Sequence, residues 1–401
     1  MARNPRRVKG KILALSANIK RNGRHRFIPS KSSPGKTYDV NLRAGTCNCA
    51  DFEMYGKPCK HLYAAEYDKK GYAKKYTGNI KPIQRPTYSQ DWPAYNQAQC
   101  HEKDTALELL RQLCEGVHQP RQPMGRPRVP LKDIAFAITM KVYGTMSGRR
   151  TSSDLRSYMD KKLIKMASHH ATISKYLNDE SLTPVLQYLI TQSALPLKCL
   201  EEDFATDSTG FSSTTYDRWY DRQYGKYANQ KNWLKLHITI GANTHIITAA
   251  EVTEAYVHDS TQFGTLIERT AANFKMKRVS ADKAYISKNN LEVVKKHGAT
   301  PYIPFKSNAT GYGSPLWEKM YHLFMYRKTE FRKYYHQRSN VESSIWMVKA
   351  KFGANIRSRT PTSMMNETLA KVICHNLAVL VHAIHKFGIM PEFSEQLKKA
   401  V

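Results

Sequence analysis

The chain has 401 residues, and its 63 Lys and Arg against 33 Asp and Glu give a formal net charge of +30. This length allows two or three domains, and the charge excess predicts a polyanionic partner, of which nucleic acid is the commonest. The sequence shows no apolar run near the roughly 18 residues of a transmembrane helix and no signal-peptide core, so we expect an intracellular protein without a membrane partner. Seven Cys in such a chain favour metal binding or free thiols over disulfides.

The N-terminal segment of residues 1–31 is strongly basic, with ten Lys or Arg and no Asp or Glu. Two compatible interpretations are a solvated, partly disordered tail and an arm that lies along phosphates. Residues 37–42 follow with the alternation of a β-strand.

Four potential metal ligands lie within the next fifteen-residue stretch: Cys47, Cys49, Cys59 and His61. Thiolates and an imidazole are the ligands that a tetrahedral zinc site requires, and Gly56 and Pro58 suit the turn between the two pairs. The spacing Cys-x-Cys-x9-Cys-x-His resembles a SWIM zinc finger, with a helix that begins at His61. The resemblance implies a closed, structural Zn²⁺ site in a module that binds DNA or protein.

The middle of the chain begins with residues 67–96, a polar stretch typical of a linker or an extended arm. Helices are predicted over residues 97–117, 130–143, 152–162, 171–177 and 182–192. This succession is compatible with a helix-turn-helix and equally with a helical bundle that supports the following domain. Between the first two helices, Gly125-Arg126-Pro127-Arg128 resembles an AT-hook core, in which Arg126 and Arg128 would enter a minor groove, and a basic turn is the alternative.

From residue 204 onward the pattern changes to short alternating strands. Strands are predicted over residues 204–211, 233–240, 246–253, 278–282 and 300–304, and helices over 260–274 and 289–297. The resulting β-β-β-α-β-α-β order matches the ribonuclease H-like fold. In that fold the first strand, with Asp207, lies next to the end of the fourth strand, with Asp282.

A helix over residues 335–349 would gather four polar side chains on one face: Tyr335, Arg338, Glu342 and Lys349. The neighbouring face carries an apolar stripe: Val341, Ile345, Val348 and Phe352. Taken alone, the pattern fits a surface helix with an Arg338–Glu342 ion pair. The spacing Tyr-x2-Arg-x3-Glu-x6-Lys, however, resembles the YREK signature of DDE transposases from bacterial and archaeal insertion sequences.

Four further motifs support this resemblance over roughly residues 200–385: Asp207-Ser-Thr-Gly-Phe, Trp233-Leu-Lys-Leu-His, His258-Asp259-Ser and Ala281-Asp-Lys-Ala-Tyr285. The resemblance implies that Asp207, Asp282 and Glu342 are the catalytic carboxylates and hold two Mg²⁺ or Mn²⁺ ions, which prefer hard oxygen ligands. Asp259 is not part of this triad and is interpreted as the N-cap of the following helix.

The resemblance also implies that Tyr335, Arg338 and Lys349 position a DNA strand through phosphate contacts. Residues 326–338 interleave aromatic residues with cations, which suits phosphates and unstacked bases, although a solvated basic face has the same composition. The cations expected to bind DNA here are Arg327, Lys328, Arg332 and Lys333.

The sequence therefore predicts an α+β multidomain protein with a basic arm and SWIM-type zinc finger (1–66), a linker and helix (67–129), a helical DNA-binding or support region (130–199) and a ribonuclease H-like α/β catalytic domain (200–390). The predicted function is a metal-dependent DNA transposase that binds element ends, cleaves phosphodiester bonds and joins 3′-hydroxyl ends to target DNA. We expect a homodimer in the DNA complex and a nucleoid-associated location in the prokaryotic cytoplasm. The alternatives are a DNA-binding regulator derived from a transposase and a ribonuclease H-like nuclease that cuts without joining.

Overall fold

The computed structural model of the protein describes residues 5–30, 35–71, 91–122, 124–125, 127–213 and 233–393. The chain forms two compact units, Met1–Ser89 and Gln90–Val401. Each unit contains its own sheet, with four strands in the first and five in the second. The α+β multidomain fold predicted from the sequence is confirmed.

The N-terminal unit is built on an antiparallel sheet, whose strands lie in chain order: β1 (Lys20–Asn22), β2 (His25–Pro29), β3 (Thr37–Asn41) and β4 (Thr46–Cys47). Among the described residues of this unit, three helices accompany the sheet: α1 (Pro5–Ser16), α2 (Ala50–Tyr55) and α3 (Lys60–Lys69). Helices α1 and α3 touch at Gly10, where an added Cβ would lie only 2.5 Å from the Cβ of Tyr63. Ile28 and Val40 are fully buried in the small core beneath the sheet.

The basic N-terminal segment is folded over its described residues 5–30, so the expectation of a solvated, partly disordered tail is wrong for this part, while the expected contact with phosphates stays a prediction. Three of its cations bond within the unit. Arg6 pairs with Asp51 at 2.6 Å, and Arg21 and Arg26 bond to the buried Asp68 at 2.7 and 2.9 Å. The high density of cations obscures a short amphipathic pattern in the sequence. A few apolar residues between the cations, such as Leu13 and Ile28, form the buried side of this segment.

The second unit begins with five helices: α4 (Trp92–Cys114), α5 (Leu131–Tyr143), α6 (Gly148–Asp160), α7 (His170–Leu177) and α8 (Leu182–Ala194). All five predicted helices of the middle region are present, with ends shifted by a few residues. The apolar faces of α4, α5 and α8 pack against the last helix of the chain and share one core with the sheet. This packing favours the interpretation of a supporting bundle for these three helices.

The sheet of this unit has the strand order β7-β6-β5-β8-β9 and comprises β5 (Asp203–Ser212), β6 (Trp233–Gly241), β7 (Ile247–Glu254), β8 (Arg278–Ala281) and β9 (Thr300–Tyr302). The first three strands form an antiparallel meander, and β8 and β9 run parallel to β5 and to each other. Helix α9 (Asp259–Ala271) precedes β8, and α10 (Lys288–Lys296) precedes β9. This is the order predicted from the sequence.

The chain continues with α11 (Pro315–Tyr326), α12 (Lys328–Tyr335), a 3₁₀ turn (His336–Arg338), α13 (Ser339–Phe352) and α14 (Pro361–Phe387). The expected single helix around the YREK residues is therefore interrupted by a tighter turn. That turn lets Gln337 donate to Asp203 at 3.0 Å, at the start of the first strand of the sheet. The apolar stripe on α13 faces inward as expected, with Val341, Val348 and Phe352 buried.

Helix α14 is the central element of this core. Its buried Asn376 acts like a strand partner at one end of the sheet, since it accepts from the amide of Ile247 at 2.9 Å and donates to the carbonyl of the same residue at 2.8 Å. Length and composition alone would allow this helix to cross a membrane, which the inspection of the sequence for apolar runs missed. However, 72% of its most apolar window is buried inside the protein.

Candidate active site and metal centre

The sheet brings the two predicted aspartates together. Asp207 lies inside β5, and Asp282 directly follows the last residue of β8. Thr206 pairs with Ala281 across these parallel strands, so the next residue on each strand, Asp207 and Asp282, lies at the same level. Adjacent parallel strands are about 4.8 Å apart, which is close enough for two carboxylates to act on one ion or one phosphate.

One guanidinium joins Asp207 to the third predicted carboxylate. Arg338 Nη1 donates to Asp207 Oδ2 at 2.8 Å, and Arg338 Nη2 donates to Oε1 of Glu342 in the first turn of α13. The side chains of Asp207 and Arg338 are only 20% and 18% exposed, whereas that of Glu342 is 58% exposed. The site is therefore a half-open acidic centre with one cation inside it.

The charges of this centre act on one another. Burial raises the pKa of Asp207 above its ordinary value, and the carboxylates of Asp282 and Glu342 raise it further, while the Ser208 amide and Arg338 oppose the shift. Within the described residues, the oxygens of these three acids do not all approach within 4.8 Å of one another. Acid oxygens that face one opening and repel each other are a donor set that fits a hard divalent cation.

The turn between β6 and β7 holds the start of α13. Asn340 Nδ2 donates to the carbonyl of Ala242 at 2.7 Å, and His245 Nδ1 lies 3.1 Å from Ser344 Oγ. The turn is itself braced by the buried carboxylate of Glu201, which accepts from two of its backbone amides at 2.6 and 3.1 Å. These bonds fix the helix that carries Glu342 relative to the strand that carries Asp207.

The end of α13 is held by a buried lysine. Lys371 of α14 is only 2% exposed, and its ammonium donates to the carbonyls of Phe352, Gly353 and Asn355 at 2.8, 2.6 and 2.9 Å. The last carbonyls of a helix have no partner within the helix, so Lys371 supplies one. Burial lowers the pKa of Lys371 to about 8.

The remaining two residues of the YREK row face the protein. Tyr335 ends α12 and stacks on Phe331 at 5.7 Å, and burial raises its pKa. Lys349 donates to Thr209 Oγ1 at 2.6 Å and lies 5.2 Å from the centre of the Phe211 ring. Both side chains are partly buried, so the row surrounds β5 near Asp207.

The interleaved segment before α13 separates its aromatic residues from its cations. The four cations that were expected to contact DNA are exposed: Arg327, Lys328, Arg332 and Lys333. Phe331 is buried, and the ring of Tyr334 lies between Tyr302 at 5.2 Å and the guanidinium of Arg278 at 4.5 Å. The expectation that this segment stacks unpaired bases is therefore wrong for Phe331 and Tyr334, whereas Tyr326 remains 75% exposed.

The AT-hook-like tetrapeptide is only partly described. Arg126 lies outside the described residues. Arg128 is exposed in the loop before α5, and its backbone amide donates to Gln122 Oε1 at 3.1 Å.

Sequence reasoning missed a polar cluster built from two of the motifs, Trp233-Leu-Lys-Leu-His and His258-Asp259-Ser. Asp259 is the first residue of α9 and not its N-cap, which is His258. Its carboxylate pairs with Lys235 at 3.0 Å and lies 3.8 Å from Nδ1 of the buried His237, whose pKa burial lowers to about 4. The N-cap interpretation is wrong. The alternation of Lys235 and His237 along one strand was the available signal for a shared polar face.

Tyr285, the last residue of the motif Ala281-Asp-Lys-Ala-Tyr285, is a second residue whose place in the site the sequence did not predict. Its ring is 1% exposed, and its hydroxyl is buried without a hydrogen-bond partner among the described residues. Burial raises its pKa, and the charges of Asp259 and Asp207 add to the shift. The phenol therefore lies between this polar cluster and the acidic centre.

The predicted zinc ligands converge in the N-terminal unit: Cys47, Cys49, Cys59 and His61 are all buried, with their ligand atoms within 4.8 Å of one another. His61 Nδ1 lies 3.9 Å from the sulfurs of Cys47 and Cys59. A tetrahedral ion with Zn–S bonds of about 2.3 Å would hold its ligand atoms roughly 3.5–3.8 Å apart, so the cluster fits zinc. The hydrogen bond between the two thiols lowers the pKa of Cys59 and raises that of Cys47, so Cys59 forms a thiolate more readily than Cys47.

Comparisons with known proteins agree with this arrangement. Residues 198–377 match the family model described as a transposase DDE domain, and residues 38–70 match the model described as a SWIM zinc finger. The first range contains Asp207, Asp282 and Glu342, and the second contains all four ligands of the Cys/His cluster. The match to the transposase DDE domain thus lies in the second unit, and the match to the SWIM zinc finger lies in the first.

A cryo-EM structure of a piggyBac transposase synaptic complex with hairpin DNA is also similar to this chain. The similarity covers 77% of this chain and 79% of that chain, with 11% sequence identity and a TM-score of 0.36. A TM-score at this level does not establish a shared fold.

Proposed function

We propose that this protein is a DNA transposase that binds the ends of its element, cleaves phosphodiester bonds there and joins the freed 3′-hydroxyl ends to target DNA. The observation that carries the proposal is the convergence of Asp207, Asp282 and Glu342 on Arg338 within a transposase DDE domain. These acids come from two strands and a distant helix, and other polar contacts hold that helix in place. Such an arrangement holds the negative charges of three carboxylates close together, where they can bind metal cations.

Asp207, Asp282 and Glu342 would hold Mg²⁺ or Mn²⁺. Two such ions activate a water or hydroxyl nucleophile and stabilise the leaving oxygen of a phosphodiester. The protein holds the acids at fixed positions and shields Asp207 from most of the solvent. The positive charge of Arg338 offsets the repulsion between Asp207 and Glu342. Arg338 can also contact a phosphate oxygen, because its guanidinium has five donors and the two carboxylates use only two of them.

DNA would reach this site across a basic surface. Arg327, Lys328, Arg332 and Lys333 are exposed on and beside α12, next to the carboxylate centre in sequence and in space. Contacts from such cations to phosphates give affinity without sequence information. The zinc finger, with one Zn²⁺ on its four ligands, would add binding to DNA or to protein. We further propose a homodimer on DNA and a location in the prokaryotic cytoplasm at the nucleoid.

A regulator derived from a transposase is the less favoured alternative, because a DNA-binding protein has no need of three acids held around an arginine. A nuclease that cuts without joining uses the same carboxylates, so the geometry does not distinguish it from a transposase. The distinction lies in the fate of the 3′-hydroxyl.

The test is a strand-transfer assay with labelled duplexes that carry the inverted repeats flanking the gene, supercoiled plasmid as the target, and Mg²⁺ or Mn²⁺. A transposase gives label covalently joined to plasmid, and Glu342→Ala gives none. Cut duplex without joined product would favour the nuclease. Retarded duplex without any cutting, in either metal, would favour the regulator.

A further inference from the structure

The second unit has a basic cavity whose lining includes none of the carboxylates or YREK residues. It has a volume of about 860 Å³ and is lined by residues of α5, α6, α7 and the segment that leads into α14. Its lining contains no Asp or Glu, and it contains six basic residues: Lys141, Arg149, His170, Lys175, Arg357 and Arg359. Ser and Thr hydroxyls line much of the remainder.

Most of these cations lack an ion-pair partner. Within the described residues, Arg149, Lys175, Arg357 and Arg359 form no ion pair with Asp or Glu within 4.0 Å, whereas Arg111 and Lys132 of the same helical region pair with Glu108 and Glu115 at 2.5 and 2.6 Å. Lys141 is largely buried, and burial lowers its pKa. Unpaired cations around one cavity repel each other, so an anionic ligand is the natural means of balancing them.

A buried acid beneath the cavity is hydrogen-bonded to the backbone. Glu367 of α14 is 3% exposed and accepts from the amides of Arg357 and Ser358 at 2.9 and 2.8 Å, and from Ser358 Oγ at 2.6 Å. It thereby fixes the shape of the segment before α14. The guanidinium groups of Arg357 and Arg359 are left exposed at the cavity.

The cavity is also connected to the acidic centre through β5. The amide of Ile356 donates to the carbonyl of Ser212, the last residue of β5, at 2.9 Å. Asp207 lies five residues earlier on the same strand, which corresponds to roughly 17 Å at about 3.3 Å per residue.

We propose that this cavity binds the sugar–phosphate backbone of the duplex DNA whose other contacts lie at the carboxylate centre, without reading its sequence. The inference rests on the proposed function for the identity of the DNA, and it adds a second backbone contact on the same unit. Its cations would neutralise phosphates, and the hydroxyls of Ser147 and Ser174 would donate to phosphate oxygens.

The test compares two triple variants of equal charge in the full-length protein. Arg149→Ala/Lys175→Ala/Arg359→Ala removes cations of the cavity. Lys161→Ala/Lys198→Ala/Lys295→Ala removes three exposed lysines elsewhere on the unit. Binding to a random-sequence 30-base-pair duplex is measured by fluorescence anisotropy from 50 to 300 mM KCl without divalent metal, so that no cutting occurs. Each lost phosphate contact lowers the slope of log Kd against log salt by about 0.9.

The cavity variant should lose about two to three units of that slope, and the lysine variant less than one. Ser174→Glu, which adds an anion to the lining, should weaken binding more than Ser174→Gln does. Equal slopes for the two triple variants, or equal binding by the two Ser174 variants, would overturn the proposal. Failure of the proposed function would show differently, as wild-type protein that cuts nothing in Mg²⁺ or Mn²⁺ while the difference in slope persists.

Discussion

The two units each gather a set of candidate metal ligands, but they do so in opposite ways. In the N-terminal unit, three thiols and an imidazole are buried and lie within 4.8 Å of one another. In the second unit, two of the three carboxylates, those of Asp207 and Glu342, bond to one arginine, and Glu342 remains 58% exposed. The first set is closed on all sides by protein, whereas the second is open to solvent on one side.

This difference separates a site that stabilises a fold from one that acts on a ligand. A closed tetrahedral set leaves no position for a substrate, so its ion can only stabilise the unit around it. An open acidic set keeps its like charges apart until a cation arrives, and it leaves room for water and a phosphate. In the second site, the positive charge of Arg338 offsets the carboxylate charges when no metal ion is bound. The first unit has short strands and only a small core, so it depends more on its ion. Five predictions test this contrast.

The largest effect is expected on removal of zinc. Natively purified protein should contain about one zinc per chain, and a chelator should unfold the N-terminal unit, because zinc binding in such small domains contributes about 10–16 kcal/mol. The second unit should remain folded. Zinc analysis with circular dichroism and limited proteolysis would check this. Zinc-free protein whose N-terminal unit resists protease would contradict it.

The second effect is on catalysis alone. Asp207→Ala, Asp282→Ala and Glu342→Ala should each lower cleavage by at least about 10³-fold, because each removes a ligand of ions that contribute several kcal/mol. Binding to element ends should be retained or become tighter, since a negative charge is lost. Asp259→Asn is the control and should keep most activity, because this residue pairs with Lys235. An inactive Asp259→Asn, or an active Glu342→Ala, would show that the triad is wrongly assigned.

The third effect concerns the lysine at the end of α13. Lys371→Met should destabilise the second unit by at least about 3 kcal/mol in urea unfolding, because three buried carbonyls lose their donor. Lys386→Met, at an exposed position of the same helix, should change stability by no more than about 0.5 kcal/mol. Similar values for the two variants would mean that Lys371 does not hold the helix end.

The fourth effect is at the arginine inside the acidic centre. Arg338→Ala should slow cleavage by about 1–3 kcal/mol and weaken end binding, because it removes a charge-assisted partner of two carboxylates and a phosphate contact. Arg338→Lys keeps the charge but loses the forked geometry, so it should restore binding more than rate. A rate for Arg338→Ala equal to that of the wild type would show that the acids need no internal cation.

The smallest effect is a pH dependence of stability. Burial lowers the pKa of His375 to about 4, so between that value and its unfolded pKa near 6.5 the unfolded chain binds more protons. Stability is therefore present above about pH 6.5 and is lost on acidification. From pH 7 to 5.5 His375 should contribute about 1 kcal/mol to the loss, and His237, whose pKa is also lowered to about 4, should contribute a comparable amount, so His375→Gln should remove only its own share. Exposed His101→Gln should remove none of the loss, and urea unfolding at both pH values distinguishes the two variants.

The features that the sequence predicted well are those encoded by local spacing. The four ligands of the finger lie within fifteen residues, and a turn suffices to close them into a cluster. The strand order followed from alternation with a period of two and from helical stretches between strands. Asp207 and Asp282 were located because each lies on or directly after a predicted strand.

The features that it missed depend on contacts between distant segments. The charge of residues 5–30 favoured a tail, and only the pairing of Arg21 and Arg26 with Asp68 shows why the cations are tolerated in a folded unit. The contact of Asp259 with Lys235 crosses from a helix to a strand, so no local pattern distinguishes it from an N-cap. The basic cavity unites four segments whose cations look like ordinary surface residues in the sequence.

The bond between Asp207 and Arg338 joins residues 131 positions apart, and this separation has a consequence for how the protein is made. A ribosome synthesises the chain from its N-terminus, so β5 and β8 leave the ribosome well before α13 does. A nascent or truncated chain that ends before α13 therefore has the two aspartates but lacks the glutamate and the arginine. Under the proposed function, the capacity to cut DNA would therefore be withheld until nearly the whole polypeptide has been synthesised.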